Sequence, residues 1–258
     1  MLNDSAFRRA LVTVALVSAA WSPQALPAQD HDEEDRSDDE YVRLQWWHPL
    51  AASAGIAALF LIDEPVQEFM QRNQSASADD VADLATKFHH KDVFLVSSGA
   101  AMSLGLAFRK PEVAEAGVQI LAAYALSSGM MIATKAAFGR NRPSETPDDV
   151  TSFNWFEGGS FSAFPSGAAA VSFSLATTLS DAIEEPVVTV LVYTGATLNS
   201  WARLYSDRHW LSDVALGALY GITAAKIVNG RWRLFGWKPP TVGIAADGGV
   251  QLGYNLRH

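Results

Sequence analysis

The sequence predicts an all-α fold, a helical bundle of about six main helices, followed by a short C-terminal β-hairpin. Apolar segments recur at helical length, with short polar stretches between them. Prolines lie at the edges of these segments, where proline is tolerated or ends a helix (Pro111, Pro143, Pro165 and Pro186). Only the end of the chain alternates apolar and other residues in the manner of strands.

At the N-terminus, Arg8 and Arg9 precede the apolar run 10–21, and a stretch of small residues ends near Ala28. This layout is typical of a cleavable secretory signal peptide, here residues 1–28. An uncleaved anchor helix is the alternative. Both interpretations predict an exported protein, in the periplasm or on the periplasmic side of the cell-envelope membrane.

Residues 29–45 are predicted to form an acidic, disordered tail, because eight carboxylates lie between Asp30 and Glu40. The rest of the chain is nearly balanced in charge and has no basic stripe, which argues against a nucleic-acid partner. The absence of cysteine excludes disulfides, thiolate metal sites and a cysteine nucleophile.

The helical domain is predicted to span residues 46–238, with its main apolar segments at 48–62, 93–108, 116–137, 168–179, 187–204 and 210–228. Between the first two segments, the apolar residues of 63–90 follow helical spacing. A helix is predicted to start within 75–80, with Ser77 or Asp79 as its N-cap.

A helix that crosses a membrane needs about 20 mostly apolar residues, and only 116–134 meets that length comfortably. The mean hydropathy is also low for six crossings. These features favour a compact periplasmic or membrane-surface bundle; helices that span the membrane are the alternative.

Residues 239–258 are predicted to form the β-hairpin. Val242 and Ile244, then Val250 and Leu252, alternate with other residues on either side of an Asp-Gly-Gly turn at 247–249. The strand pair is expected to cover the bundle.

Three short stretches at helix ends carry unusual polar residues. In the first, Lys135 and Arg142 stand seven residues apart, and Pro143 is expected to end the helix. Two basic residues at the C-terminal end of a helix usually do no more than interact favourably with the helix dipole. In the second, Ser166 and Gly167 directly precede an apolar helix, a pattern that suits either an anion site or ordinary capping.

The third stretch contains Arg203, His209 and Asp213. If the chain is helical from Trp210 onward, His209 and Asp213 lie one turn apart on the same face. A carboxylate beside one imidazole nitrogen fixes the tautomer and leaves the other nitrogen as a nucleophile. Arg203 can bind the same anion with a forked pair of hydrogen bonds. For this stretch alone, a solvated surface contact is the plainer alternative.

Together, the three stretches resemble the signature of the type 2 phosphatidic acid phosphatase (PAP2) superfamily, which includes bacterial acid phosphatases and vanadium haloperoxidases. That signature is Lys, six residues and Arg-Pro; then Pro-Ser-Gly-His; then Ser-Arg, five residues, His, three residues and Asp. The resemblance covers about residues 91–229, with matches at Lys135, Arg142, Pro143, Pro165, Ser166, Gly167, Arg203, His209 and Asp213.

The resemblance implies an all-α core with a phosphate site at one end. His209 would be the nucleophile that forms a phosphohistidine, and Asp213 would orient it. The phosphoryl oxygens would be bound by three cations and two further groups (Lys135, Arg142, Arg203, the Ser166 hydroxyl and the Gly167 amide). It implies no metal and no cofactor, because these cations already face the oxygens.

Two positions depart from the signature. Ala168 stands where the family has a histidine that the resemblance implies is the general acid, and alanine cannot donate a proton. General acid catalysis is typically worth about 10²–10⁴-fold, so we expect reduced activity, above all with an alkoxide leaving group. Ala202 replaces the serine before Arg203, which removes one hydrogen bond.

These features predict a cell-envelope phosphatase acting on a phosphate monoester or diphosphate. The apolar helices and the neighbouring Trp155 and Phe156 favour a lipid substrate. One alternative is a phosphate-ester binding protein whose catalysis is impaired by Ala168. A vanadate-dependent haloperoxidase is disfavoured, because those proteins are much longer and have larger helical scaffolds.

Overall fold

Helices dominate the part of the chain that the computed structural model describes, residues 41–87, 91–157, 159, 162–234, 241–244 and 250–253. The signal peptide predicted at 1–28 lies outside these residues. In chain order, the described elements are β1 (Val42–Leu44), α1 (Trp47–Arg72), α2 (Ala76–Thr86), α3 (Lys91–Ala107), α4 (Pro111–Phe138), α5 (Gly167–Ile183), α6 (Pro186–Tyr205), α7 (Leu211–Val228), β2 (Trp232–Leu234), β3 (Thr241–Ile244) and β4 (Val250–Gly253).

Helix α1 continues through Asp63, where the sequence analysis ended its first apolar segment. Asp63 is buried, and its carboxylate accepts a hydrogen bond from the Ser212 amide of α7 at 2.8 Å. The carboxylate therefore belongs to the interior rather than to a helix end. Pro65 is also accommodated inside α1.

The next two helix boundaries also differ from the predicted ones. Helix α2 begins at N-cap Ser75, whose hydroxyl accepts a hydrogen bond from the Ala78 amide, instead of at Ser77 or Asp79. Helix α4 ends before Pro143, because Gly139 adopts a left-handed conformation (φ 56°) that glycine tolerates without steric cost. Lys135 therefore lies in the last turn of α4, and Arg142 lies in the following loop.

Helices α5 and α7 pack closely because two glycines of α7 face α5. A Cβ at Gly217 would lie 2.3 Å from the Ser166 carbonyl oxygen, and one at Gly221 would lie 2.3 Å from the Ala170 carbonyl oxygen. Close packing brings the starts of these helices together, where the Ser166 amide donates to the Asp213 carbonyl at 2.8 Å.

The apolar core of the described residues is divided among buried clusters that involve helices α2 to α7, one of them between α2 and α6. One buried cluster joins α3, α4 and α5 through Phe94, Ile120 and Val171, and a second joins α5, α6 and α7 through Ala169, Leu204 and Val214. Because these helices alternate in direction, the ends of α4 and α6 and the starts of α5 and α7 meet at one end of the bundle.

Much of the helical surface is apolar. Helices α1, α4 and α7 are long and apolar enough to cross a membrane, judged by length and composition. The sequence analysis found one such segment because it divided α1 at Asp63 and judged the other segments too short. Large apolar side chains point outward, as at Leu61, which is 81% exposed. The sequence favoured a compact periplasmic or membrane-surface bundle, and this apolar surface argues against a bundle that is free in the periplasm.

The strands form two separate pairs. β3 and β4 are antiparallel, with Val242 opposite Leu252, which confirms the predicted hairpin; its turn at 247–249 lies outside the described residues. β1 pairs in parallel with β2, with Val42 opposite Trp232. The assignment of 29–45 to a disordered tail therefore does not hold for the three residues of β1.

Candidate active site

The three polar stretches of the sequence converge at the end of the bundle where α4, α5, α6 and α7 meet. The charges of Lys135 and Arg142 act on the imidazole of His209, and the charge of Arg142 also acts on the guanidinium of Arg203. The Ser144 amide donates to the Asp207 carbonyl at 3.3 Å, which ties the first stretch to the third. A cluster of cations around one imidazole is thus built from distant parts of the chain.

His209 precedes α7 and is only 9% exposed. Its Nδ1 atom lies 2.9 Å from the Ala163 carbonyl oxygen. A carbonyl can only accept a hydrogen bond, so Nδ1 carries the proton and Nε2 keeps the lone pair of the neutral ring.

The imidazole is held in its neutral form. Burial lowers the pKa of His209 below its ordinary value, because desolvation disfavours the charged ring. The Asp213 carboxylate opposes this shift, and the charges of Lys135 and Arg142 reinforce it. A neutral ring at pH 7 is the form that can act as a nucleophile.

Asp213 acts on His209 through its charge. Its Oδ2 atom lies 3.6 Å from Nδ1 of His209, which is beyond hydrogen-bond distance, and accepts the Trp210 amide at 2.8 Å. The sequence analysis gave Asp213 the task of orienting the ring, whereas the shorter contact belongs to the Ala163 carbonyl.

Lys135 is 8% exposed, and its ammonium group donates to the Ser162 carbonyl. The neighbouring carbonyls of Ser162 and Ala163 therefore accept hydrogen bonds from the Lys135 ammonium and from Nδ1 of His209. The Ala163 amide donates to the Arg140 carbonyl at 2.7 Å. This short segment before α5 fixes the spacing of the ammonium and the imidazole.

The second stretch supplies the start of α5. Ser166 is fully buried and is the N-cap of α5, because its hydroxyl accepts a hydrogen bond from the Ala169 amide at 3.4 Å. Gly167 is the first residue of α5, where the backbone amides of a helix are available to an anion. A Cβ at Gly167 would lie 2.6 Å from the sulfur of Met131. Ala168 follows, half-buried and without a side-chain proton donor.

The sequence analysis missed two residues behind this site, Asp63 and Arg140. Arg140 pairs with Asp63 at 2.8 Å and with Asp213 at 2.7 Å. Two signals in the sequence pointed to them: Arg140 is a further cation inside the first stretch, and Asp63 is a carboxylate inside an apolar helix, where charge is costly and usually functional.

Comparison with known proteins finds a family model that matches nearly half of the chain. Residues 116–235 match the family model described as the PAP2 superfamily. The lipid A 1-phosphatase of Porphyromonas gingivalis is 36% identical over 110 residues, which are 42% of this chain and 21% of that protein. The chain therefore spans about a fifth of the length of this relative.

Two crystal structures share the fold. LpxE of Aquifex aeolicus superposes with a TM-score of 0.51 at 23% identity, over 64% of this chain and 93% of that chain. A PAP2-type phosphatidylglycerolphosphate phosphatase of Bacillus subtilis superposes with a TM-score of 0.55 at 17% identity, over 71% and 95%. These findings confirm the resemblance seen in the sequence. The stretch that matches the PAP2 superfamily model, residues 116–235, carries the converging cations and His209, and the two crystal structures share its helical fold.

Proposed function

We propose that this chain is a membrane phosphatase of the cell envelope that hydrolyses a lipid phosphate monoester or diphosphate through a phosphohistidine intermediate on His209. The observation that carries the proposal is the contact of Nδ1 of His209 with the Ala163 carbonyl, beside the charges of Lys135 and Arg142. It leaves Nε2 as the nucleophilic atom of a neutral ring among cations.

The reaction has two displacements. First, Nε2 of His209 bonds to phosphorus, the bond from phosphorus to the leaving oxygen breaks, and that oxygen departs with the electron pair. Next, a water oxygen bonds to phosphorus, the phosphorus–nitrogen bond breaks with its electron pair returning to Nε2, and the proton of the water passes to solvent. Lys135, Arg142 and Arg203 neutralise the phosphoryl oxygens in both steps, with the Ser166 hydroxyl and Gly167 amide as further donors.

Ala168 restricts the leaving group. Without a histidine at this position, the departing oxygen takes its proton from water or leaves as an anion. An alkoxide is a poor leaving group under these conditions, whereas the phosphate released from a diphosphate is a better one. We therefore place diphosphates above alkyl monoesters as substrates, with turnover below that of an enzyme that retains the histidine.

A lipid substrate fits the surface around the site. Helices α1, α4 and α7 have the length and composition to cross a membrane. Trp155 and Phe156, in the loop that leads from α4 to the site, are exposed, Phe156 by 84%. The name of the Porphyromonas gingivalis relative, a lipid A 1-phosphatase, agrees with a lipid phosphate.

The proposed location in the cell rests on the signal-like segment 1–28 and on the apolar helices. We propose that residues 1–28 direct export and that the helical domain is embedded in the membrane with its site on the periplasmic side. The partner is then the phosphorylated headgroup of a lipid.

The test is phosphate release by the full-length protein in detergent. Three substrates are compared: dioctanoyl phosphatidic acid, farnesyl diphosphate and the soluble ester p-nitrophenyl phosphate. We expect both lipids to be hydrolysed faster than the soluble ester, the diphosphate fastest, and no release by a His209→Gln variant.

Other outcomes separate the parts of the proposal. Faster hydrolysis of the soluble ester would remove the lipid part. Calorimetric binding of vanadate without release from any substrate would favour a phosphate-ester binding protein impaired by Ala168.

A further inference from the structure

Three charged side chains from separate elements form a buried ion triad behind the site. Asp63 of α1, Arg140 of the loop after α4 and Asp213 of α7 are 0%, 1% and 0% exposed. Burying three charges is costly unless each is paired and hydrogen-bonded, and such triads are often no more stable than apolar residues in their place. Stability alone is therefore a weak reason for this arrangement.

Arg140 has no donor left for a substrate. Its five N–H groups donate within the protein, to Asp213, Ser212, Asp63 and twice to the Val150 carbonyl. The guanidinium also lies over the ring of Phe60, with its carbon 4.3 Å from the ring centroid. Arg140 is therefore committed to internal contacts.

These contacts fix both oxygens of the Asp213 carboxylate. Oδ1 accepts a hydrogen bond from the Arg140 guanidinium at 2.7 Å, and Oδ2 accepts one from the Trp210 amide at 2.8 Å. The carboxylate cannot turn without breaking one of these bonds. Its Oδ2 atom is therefore held 3.6 Å from Nδ1 of His209.

Asp63 sets the charge of the triad. Alone, Arg140 would neutralise Asp213, so the pair would offer no net charge to the imidazole. Oδ2 of Asp63 accepts a hydrogen bond from Arg140 at 2.8 Å, and Oδ1 accepts one from the Ser212 amide at 2.8 Å. With both carboxylates ionised, the triad carries one net negative charge next to His209.

From these contacts we infer that Asp63 and Arg140 are positioning residues of the active site, which act on His209 through Asp213. The inference rests on the proposed function of His209 as the nucleophile. When Nε2 bonds to phosphorus while Nδ1 keeps its proton, the ring becomes cationic, and a fixed negative charge 3.6 Å away stabilises it. The triad thus favours the transition state more than substrate binding.

The test uses the full-length protein with farnesyl diphosphate and an Asp63→Asn variant, which keeps the shape of the side chain and removes its charge. We expect kcat to fall about tenfold or more while KM stays within about twofold, because no group that binds phosphate is altered. The acid limb of the pH–rate profile should move to lower pH. In this variant, Arg140 balances the charge of Asp213, so the positive charges of Lys135 and Arg142 lower the pKa of His209 further.

A second variant guards against misfolding of the first. The double substitution Asp63→Leu with Arg140→Met replaces the pair by apolar side chains. Proteins often tolerate such a replacement of a buried ion pair. It removes one charge of each sign, so the acid limb should stay near that of the unmodified protein. The value of kcat should fall, because Asp213 has lost its hydrogen bond from Arg140.

The matched control is Asp181→Asn, at another helix contact of the bundle. Asp181 pairs with Lys226 at 2.6 Å between α5 and α7, and loss of that pair should lower the melting temperature without changing kcat or the pH limb.

Unmodified kcat and pH limb in both triad variants, with only the melting temperature changed, would overturn the inference and leave the triad a structural element. Failure of the proposed function is distinguishable, because the unmodified protein would then release no phosphate. In that case, the pKa of His209 can be measured from the pH dependence of the ¹⁵N chemical shift of its ring. The signal is assigned by its loss in His209→Gln. An equal pKa of His209 in Asp63→Asn and in the unmodified protein would equally overturn the inference.

Discussion

His209 obtains its protonation state from its surroundings rather than from the amino-acid type. The Ala163 carbonyl oxygen accepts a hydrogen bond from Nδ1 at 2.9 Å, and burial lowers the pKa of the ring below its ordinary value of 6.5. The ring loses activity when it is protonated, so kcat/KM should fall as the pH drops through this lowered pKa and should be flat from there to pH 7.

The pH–rate profile checks this directly. Farnesyl diphosphate and p-nitrophenyl phosphate differ in their own phosphate pKa values, so a midpoint shared by both belongs to the enzyme. A shared midpoint above 6.5 would contradict a neutral, buried nucleophile.

Ala168 is the residue whose replacement should raise activity. In Ala168→His, an imidazole can donate a proton to the departing oxygen, so turnover of dioctanoyl phosphatidic acid should rise by about 10²–10⁴-fold, and that of farnesyl diphosphate by less. Ala168→Gln, a side chain of similar reach without an acidic proton, is the control. An unchanged rate in Ala168→His would mean that the proton comes from another group.

The sequence located the residues proposed to bind the phosphate but missed Asp63 and Arg140, which lie behind them. Lys135, Arg142 and His209 could be found because the spacing of three stretches is specific when taken jointly. Asp63 lies 150 residues from Asp213, and only the folded chain brings both to Arg140. Neither composition nor periodicity carries that contact.

Among the helices, the contact of α5 with α7 determines where His209 lies relative to the start of α5, the proposed phosphate site. In Gly221→Val, the new Cβ would meet the Ala170 carbonyl oxygen at 2.3 Å and the Ser174 amide nitrogen at 2.7 Å. Because both neighbours are backbone atoms, the helices must separate, and the free energy of unfolding should fall by about 1–3 kcal/mol.

Gly195 of α6 is the matched control, because nothing lies within 4 Å of a Cβ built there. Gly195→Ala should leave the free energy of unfolding unchanged or raise it by up to about 1 kcal/mol through helix propensity. Thermal unfolding in detergent measures both variants. Equal melting temperatures would show that α5 and α7 do not depend on the small residues of α7.

Helix existence was predictable from apolar periodicity, whereas helix ends depended on tertiary contacts. The sequence broke α1 at Asp63 because a carboxylate ordinarily marks a polar boundary, but the partners of this carboxylate lie on α7 and in the loop after α4. At α4, the left-handed Gly139 ended the helix before Pro143 could do so. The parallel pairing of β1 with β2 joins residues far apart in sequence and left no local pattern.

The protein as a whole exposes apolar side chains that water does not accommodate well. Leu61 on α1, Val96 on α3 and Val190 on α6 are among many large side chains that face outward. If the bundle is embedded in lipid, the protein in a membrane fraction should resist both a high-salt wash and alkaline carbonate and be released only by detergent. Release by carbonate would instead support a bundle bound to the membrane surface.

Trapping the covalent intermediate tests the role of His209 most directly. The full-length protein is mixed with farnesyl diphosphate labelled in its terminal phosphate, quenched in alkali, where phosphohistidine survives, and digested for mass spectrometry. The label is expected on His209, and His209→Gln should acquire none. Label on a different residue, or sustained phosphate release by His209→Gln, would contradict the mechanism derived from this site.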